Sequence, residues 1–198
     1  MGGGPLILYL HGFRSSPRSH KATVLKSRME SRGLGDRFAC PQLPVSPREA
    51  VDLAQSLIDK YEQPVTLIGS SLGGYYATHL AERNDLAAVM VNPSVASWRA
   101  AEKFLGEHEN LYTGEEFTFT RTHIDELRAI DVPGITRPAR YWLLVETGDE
   151  VLDYRAAVAH YTGARQTVLE GGDHSFTRWD DYIEGIMHFA GLPDACLP

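Results

Sequence analysis

Cysteine is scarce in this chain: Cys40 and Cys196 are the only two among 198 residues. They stand far apart and in no metal or redox spacing, so two unpaired thiols of a reducing compartment are expected. Long apolar runs are missing too. No stretch approaches the roughly 20 residues that a membrane-spanning helix needs. The start, Met1 to Leu10, has no basic region and too short an apolar run for a signal peptide, so the cytoplasm is the expected location. Basic charge is outnumbered, with 19 Lys and Arg against 26 Asp and Glu and a net charge of -7. That balance lacks the excess needed to neutralise phosphates, so nucleic acid is not an expected partner, and it disfavours an anionic membrane surface. Locally, Arg14 and Arg18 still offer a positive patch to a negative group on a substrate. Internal repeats, low-complexity tracts and linkers are absent as well.

What is present is a 43% apolar content, enough for one proper core and short for two, so a single domain over 1–198 is expected. Six short apolar runs bounded by turn residues read as strands: Leu6–Leu10, Phe38–Cys40, Val65–Ile68, Ala87–Val91, Tyr141–Val145 and Gln166–Leu169. Most are continuously apolar, as strands covered on both faces are, which points to a parallel sheet. Between them lie helical patterns at His20–Ser31, Leu72–Arg83, Tyr154–Tyr161 and Trp179–Ala190. The clearest helix starts at Ser46-Pro47-Arg48-Glu49, an N-cap with proline at the first position and a capping-box Glu, followed by Ala50, Leu53, Ala54, Leu57, Ile58 and Tyr61 at helical spacing. Strand and helix alternate, so the fold class is α/β: a compact, mostly parallel, doubly wound sheet of about six strands.

One interval breaks the rhythm. Residues 93–140 are far more chain than a crossover helix needs. They hold an amphipathic piece at Trp98–Leu105, a polar loop with Gly114, Glu115 and Glu116, and a helix over His123–Ile130 that Thr122 is placed to cap. A small helical cap inserted over one end of the sheet would account for this.

Gly69-Ser70-Ser71-Leu72-Gly73-Gly74 joins the run Val65–Ile68 to the next helix, which is Gly-x-Ser-x-Gly at a strand-to-helix turn. A nucleophile on so sharp a turn has a strained backbone, and side chains at the flanking positions would strike the neighbouring strand and helix. Ser71 would project beyond the carboxyl edge of the sheet beside a helix N-terminus. The alternative reading is a tight glycine turn with an idle serine. A phosphate loop fits less well, since neither a Walker lysine nor Gly-x-Gly-x-x-Gly is present.

A serine needs a base, and the base needs an orienting acid. In this type of turn the chain order is serine, acid, histidine, the last two following late strands. Asp149 follows Tyr141–Val145, and His174 follows the last strand in the loop Glu170-Gly171-Gly172-Asp173-His174. Glu146, Asp153 and Asp173 are rival acids, and Asp173 is awkwardly adjacent to the base it would orient. Of the eight histidines, His11 ends the first strand, His79 lies on the helix after Ser71, and His188 lies on the last helix. An oxyanion hole takes one backbone N–H from the residue after the nucleophile and one from the loop after an early strand, which makes Leu72 and Phe13 the natural pair.

Taken together, Leu8-Tyr9-Leu10-His11-Gly12-Phe13, Pro41-Gln42-Leu43-Pro44, Gly69 through Thr78, Val91-Asn92-Pro93, Thr147 through Tyr154 and Glu170 through Phe176 resemble the compact bacterial YqiA-like esterases of the α/β-hydrolase superfamily. Departures fall at Met1–Gly4 and from Pro193 onward. The resemblance implies the α/β-hydrolase fold and hydrolysis of short- to medium-chain acyl esters, or of acyl thioesters, with Ser71 as nucleophile, Asp149 as orienting acid and His174 as base. A non-catalytic scaffold of the same fold is the different-class alternative. No His/Asp/Glu group has metal-ligand spacing and the chemistry needs no cofactor, so neither metal nor cofactor is expected. A small-molecule ester or thioester is the expected partner. For the substrate pocket the candidates are Arg14, Tyr75, Asn92 and Trp98. Tyr76, Tyr112, Phe117 and Phe119 face the same choice between lining a pocket and packing the cap.

Overall fold

The computed structural model describes residues 4–193; Cys196 and the N-terminal Met1 lie outside the described residues. Six parallel strands form the main sheet in the order β2-β1-β3-β4-β7-β8: β1 (Leu6–Leu10), β2 (Phe38–Ala39), β3 (Val65–Ser70), β4 (Ala87–Val91), β7 (Tyr141–Glu146) and β8 (Arg165–Leu169). Every residue of β1, β3 and β7 is buried. Because side chains alternate across a strand, such continuous runs divide into two cores. Leu6, Leu8, Leu10, Leu67, Met90 and Leu143 face one side, and Ile7, Tyr9, Ile68, Val89, Trp142 and Leu144 face the other.

Helices α1 (His20–Glu30) and α6 (Trp179–Phe189) cover the second face through Ala22, Leu25, Met29, Ile183 and Ile186. Helices α2 (Pro47–Lys60), α3 (Leu72–Asn84) and α5 (Tyr154–His160) cover the first. Ser46 caps α2, accepting the Glu49 N–H at 3.2 Å. Its own hydroxyl donates at 2.7 Å to Glu126 of α4 (Arg121–Ala129), which ties the cap segment to the sheet's helices.

The chain runs outward from β1 in both directions along the sheet, so the winding reverses between β1 and β3. Loops at the carboxyl ends of these two strands diverge and leave a crevice there, where ligands bind in open α/β sheets.

The segment after β4 departs from the sequence reading. Its amphipathic piece is a 3-10 helix over Ser97–Phe104. The expected polar loop includes an antiparallel hairpin, β5 (Gly106–Glu109) paired with β6 (Glu116–Phe119). Helix α4 begins at Arg121, so Thr122 lies inside its first turn; Thr120 is the cap, its N–H donating to His123 Nδ1 at 3.1 Å. The hairpin is fastened to the loop after β1. Leu111 N–H donates to the Arg14 carbonyl at 2.9 Å, Asn110 Nδ2 to the Ser15 carbonyl at 2.8 Å and Arg14 Nε to the Glu109 carbonyl at 2.9 Å. Arg18 reaches the Tyr112 carbonyl as well.

Cys40 is a free, partly enclosed thiol whose pKa burial pushes up to about 12, so it stays protonated at neutral pH. Among the described residues no helix is long and apolar enough to cross a membrane, and no three His, Cys, Asp or Glu side chains gather as a metal-binding group.

Candidate active site

Ser71 sits between β3 and α3 with φ 55° and ψ -122°, a conformation that costs an L-residue about 1–3 kcal/mol. The surrounding chain holds it there. Its N–H donates to the Val91 carbonyl at 3.1 Å, and its carbonyl accepts from Gly74 at 2.9 Å and Ser94 at 3.0 Å. The flanking glycines are required by contact. A Cβ on Gly69 would lie 2.5 Å from the Gly73 carbonyl oxygen, and one on Gly73 would lie 2.0 Å from the Leu10 carbonyl oxygen. These are the collisions with strand and helix that the motif exists to avoid.

The three side chains singled out in the sequence meet in space. His174 Nε2 is 3.0 Å from Ser71 Oγ, and His174 Nδ1 is 2.8 Å and 3.0 Å from the two Asp149 oxygens. With a carboxylate on Nδ1, that nitrogen carries the proton and Nε2 is left to accept from the hydroxyl. Asp149 is almost wholly enclosed, its side chain 2% exposed. Burial acts to raise its pKa, but the hydrogen bonds from His174 and from the Leu152 and Val151 N–H groups outweigh that and hold the carboxyl below the usual range.

The rival acids are occupied elsewhere. Asp153 caps α5 by accepting the Arg155 N–H at 3.0 Å, and Asp173 accepts the Ser175 N–H at 2.8 Å in a local turn. Glu146, at the end of β7 and 0% exposed, faces the underside of the His174 loop. Its carboxylate accepts from the Asp173 and Thr177 N–H groups at 2.9 Å and 3.0 Å and from Arg178 Nε at 2.9 Å.

Asn92 works with Glu146. Its Oδ1 accepts the Glu146 N–H at 3.0 Å and its Nδ2 donates to the Asp173 and His174 carbonyls at 3.0 Å and 3.2 Å. Lys21 adds a 2.7 Å bond to the Ser175 carbonyl, and burial lowers its pKa to about 8 against the pull of Asp173, Glu146 and Asp149. The signal in the sequence for this arrangement is a polar residue at the carboxyl edge of each of two buried strands, Asn92 just after β4 and Glu146 at the end of β7.

Burial tends to raise the Glu146 pKa, but the Asp173, Arg178 and Thr177 donors prevail and hold it low. Its folded value lies below the unfolded one, so its contribution to stability is present above about pH 4.3 and is lost as pH falls through the folded value. Glu146→Gln is therefore expected to cost about 3 kcal/mol at pH 7, since it replaces an acceptor by a donor facing N–H groups and takes the counter-charge from Arg178, which keeps only its bond to the Glu170 carbonyl. Chemical denaturation from pH 7 downward checks this, the gap from the parent protein closing as the solution becomes more acidic.

Leu72 is the first residue of α3, so its N–H has no acceptor within the helix. Phe13 follows β1, and Gly12 brings that loop so near that a Cβ there would lie 3.1 Å from Ser71 Cβ. Phe13 and Leu72 line, with Ser71 and His174, a cleft of about 280 Å³ whose far walls are apolar: Val95, Ala101, Phe104, Phe119 and Leu127. The Phe13 ring packs edge-on against Phe117 and Phe119 at 5.6 Å and 5.5 Å.

The pocket candidates fare differently. Arg14 lines a second cavity beside the loop after β1, as do Tyr76 and Phe117. Tyr75 turns away, donating to the Leu127 carbonyl and to Asp131 at 2.9 Å and 2.8 Å. Asn92 is 2% exposed and spent on the loop bonds above. Trp98 packs within the cap under Arg128, whose guanidinium is 4.6 Å from the ring. Neither Tyr75, Asn92 nor Trp98 lines the cleft that contains Ser71, and for these three the pocket assignment is corrected. Tyr112 is exposed on the hairpin turn.

His11 also has a place here. Enclosed, with its pKa lowered by burial, it accepts the Leu43 N–H on Nε2 at 3.0 Å and donates from Nδ1 to the Gly12 carbonyl at 3.0 Å. It thereby fixes the loop that carries Phe13.

Solved structures share the architecture over nearly the whole chain. The mouse α/β hydrolase domain-containing protein 10 superposes with a TM-score of 0.73 at 18% identity, covering 96% of this chain and 92% of its own. Est1E from Butyrivibrio proteoclasticus gives 0.65 at 15% identity, with 94% and 87% covered. The esterase domain of a Rhodothermus marinus protein gives 0.65 at 21% identity, with 93% and 85% covered. The parallel order of the sheet and these superpositions make the fold that of the α/β hydrolases. Residues 6–191 match UPF0227, described as an uncharacterised protein family, and the chain belongs to that YqiA-like family.

Proposed function

We propose that this protein is a serine esterase that cleaves short- to medium-chain acyl esters through an acyl-enzyme on Ser71. The observation that carries the reading is the pair of contacts made by His174, 3.0 Å to the hydroxyl and 2.8 Å to the carboxylate. In the proposed reaction His174 Nε2 takes the Ser71 proton as Oγ attacks the acyl carbonyl. Asp149 stabilises the imidazolium that forms, and the amides of Phe13 and Leu72 bind the oxyanion. The imidazolium then gives its proton to the departing alcohol oxygen. Water, deprotonated by the same imidazole, releases the acid and restores the serine.

The apolar cleft receives the acyl chain, and its modest volume favours short and medium lengths. We take residues 1–198 as one domain, with 93–140 forming the roof of that cleft. Esterase and hydrolase names among proteins of the same fold support the chemistry.

A fluorophosphonate probe is expected to label Ser71 covalently, located by peptide mass analysis, and the label should vanish in Ser71→Ala. Matched oxygen and sulfur esters of graded acyl length then give the preference. An unlabelled, correctly folded protein with no turnover of any ester would leave a non-catalytic scaffold as the reading.

A further inference from the structure

Behind the proposed oxyanion loop lies the second cavity, of about 290 Å³, which shares Gly12, Phe13 and Leu72 with the catalytic neighbourhood. It holds on the order of ten water-sized groups, the volume of a small organic molecule. Its position next to Ser71 is close: the Gly12 position that lines it is the one whose Cβ would lie 3.6 Å from Ser71 Oγ.

Unlike the acyl cleft, this cavity is chemically mixed. Tyr76, 3% exposed as a residue, lines it with its ring and hydroxyl free of the hydrogen bonds that hold Tyr75. A phenol hydroxyl both donates and accepts, so where it opens into a cavity it can bond a ligand hydroxyl from either side. The same cavity is lined by Ser15, Gln42, Arg14 and Glu115, the Gln42 amide N–H groups already donating to the Ser15 and Leu43 carbonyls. Arg14 spends only its Nε on the Glu109 carbonyl.

One cation and one anion line the space, so its own charge sums to zero. An anionic ligand would meet Glu115 and a cationic one Arg14. A neutral group that both donates and accepts hydrogen bonds at several points suits the set better. Its apolar edges, Leu43, Pro44 and Phe117, match the C–H faces that such a group carries between its hydroxyls.

We infer that this cavity is a subsite for a neutral, polyhydroxylated alcohol, so that the preferred substrate joins an apolar acyl chain to a small polyol or sugar. The inference rests on the esterase reading above. It assigns the two halves of the ester to two cavities that meet at the oxyanion donors: acyl chain under the cap, hydroxylated alcohol behind the loop of Phe13. Tyr76 selects the alcohol by hydrogen bonding, with Ser15 and Glu115 beside it.

The test compares kcat/KM for glycerol monobutyrate and propyl butyrate, which share the acyl group and the three-carbon alcohol and differ in two hydroxyls. The parent protein is expected to favour the glycerol ester by about 10-fold or more, because groups built to bond hydroxyls are left unpaired by the propyl ester. Tyr76→Phe, which keeps the ring, should lower that ratio about 3- to 10-fold. Ser15→Ala, at a half-buried position, reads the same ratio should Tyr76→Phe fail to fold. Hydrolysis of propyl butyrate with no preference for the glycerol ester, or a ratio indifferent to both substitutions, overturns the subsite and leaves the esterase reading standing. Hydrolysis of neither ester, together with absent labelling of Ser71, overturns both.

Discussion

Ser71→Ala is expected to lower kcat on the best ester by about 10⁶-fold, and His174→Ala by a similar factor, with the double variant no worse than either alone. In the proposed mechanism the two side chains form one device. Without the imidazole at 3.0 Å the hydroxyl keeps its proton, and without the hydroxyl the imidazole has nothing to activate. Costs that belong to one device do not add. Single-turnover and steady-state kinetics on the three variants, purified away from any contaminating esterase, measure this. Rates for the single variants that multiply in the double would mean that serine and histidine act independently. Binding should survive the alanine at 71, because the acyl cleft is walled by other residues.

Asp149→Asn should reduce kcat about 10⁴-fold while leaving the fold intact. The carboxylate accepts from Nδ1 at 2.8 Å, which leaves the proton on that nitrogen and the lone pair of Nε2 facing Ser71. An amide at 149 can turn an N–H toward Nδ1 and so favour the opposite tautomer, with a proton placed between imidazole and hydroxyl. The substitution also removes the charge that opposes the imidazolium. The Val151 and Leu152 N–H groups still find the side-chain oxygen, so stability should change less than activity. The far-downfield proton resonance of the His174–Asp149 hydrogen bond is the spectroscopic check, present in the parent protein and absent from the variant. An unchanged kcat would pass the orienting role to a different acid.

Legibility in the sequence followed the range of the forces involved. The six sheet strands lay within a residue or two of the expected runs because most are apolar over nearly their whole length, β8 with Arg165, Gln166 and Thr167 being the exception. The glycines around Ser71 announced a backbone constraint that acts within six residues. The hairpin of β5 and β6 was missed because Gly106-Glu107-His108-Glu109 is half charged and gains its strand geometry from pairing across six intervening residues, not from its own composition. The 3-10 helix after β4 carried a helical period, but period alone cannot separate it from an α-helix.

Asn92 and Tyr75 sat beside the right motifs and pointed elsewhere. Only tertiary packing decides which way a side chain at the end of a strand turns, and in Asn92 it turned toward the loop of His174. Glu146 was weighed as a partner for the imidazole on chain order alone. Its actual contacts lie one layer further out, where spacing carries no signal.

The bonds that tie the tip of the β5–β6 hairpin to Arg14 and Ser15 bear on how a substrate gets in. These bonds join the proposed roof and the proposed oxyanion loop into a single mechanical piece. Lifting the roof for a bulky guest would drag the Phe13 amide with it and loosen the grip on the carbonyl at the moment of widest access. On the proposed reading, entry would be set by what slides beneath a fixed ceiling, and size exclusion would come from the same few bonds that hold the Phe13 amide in place.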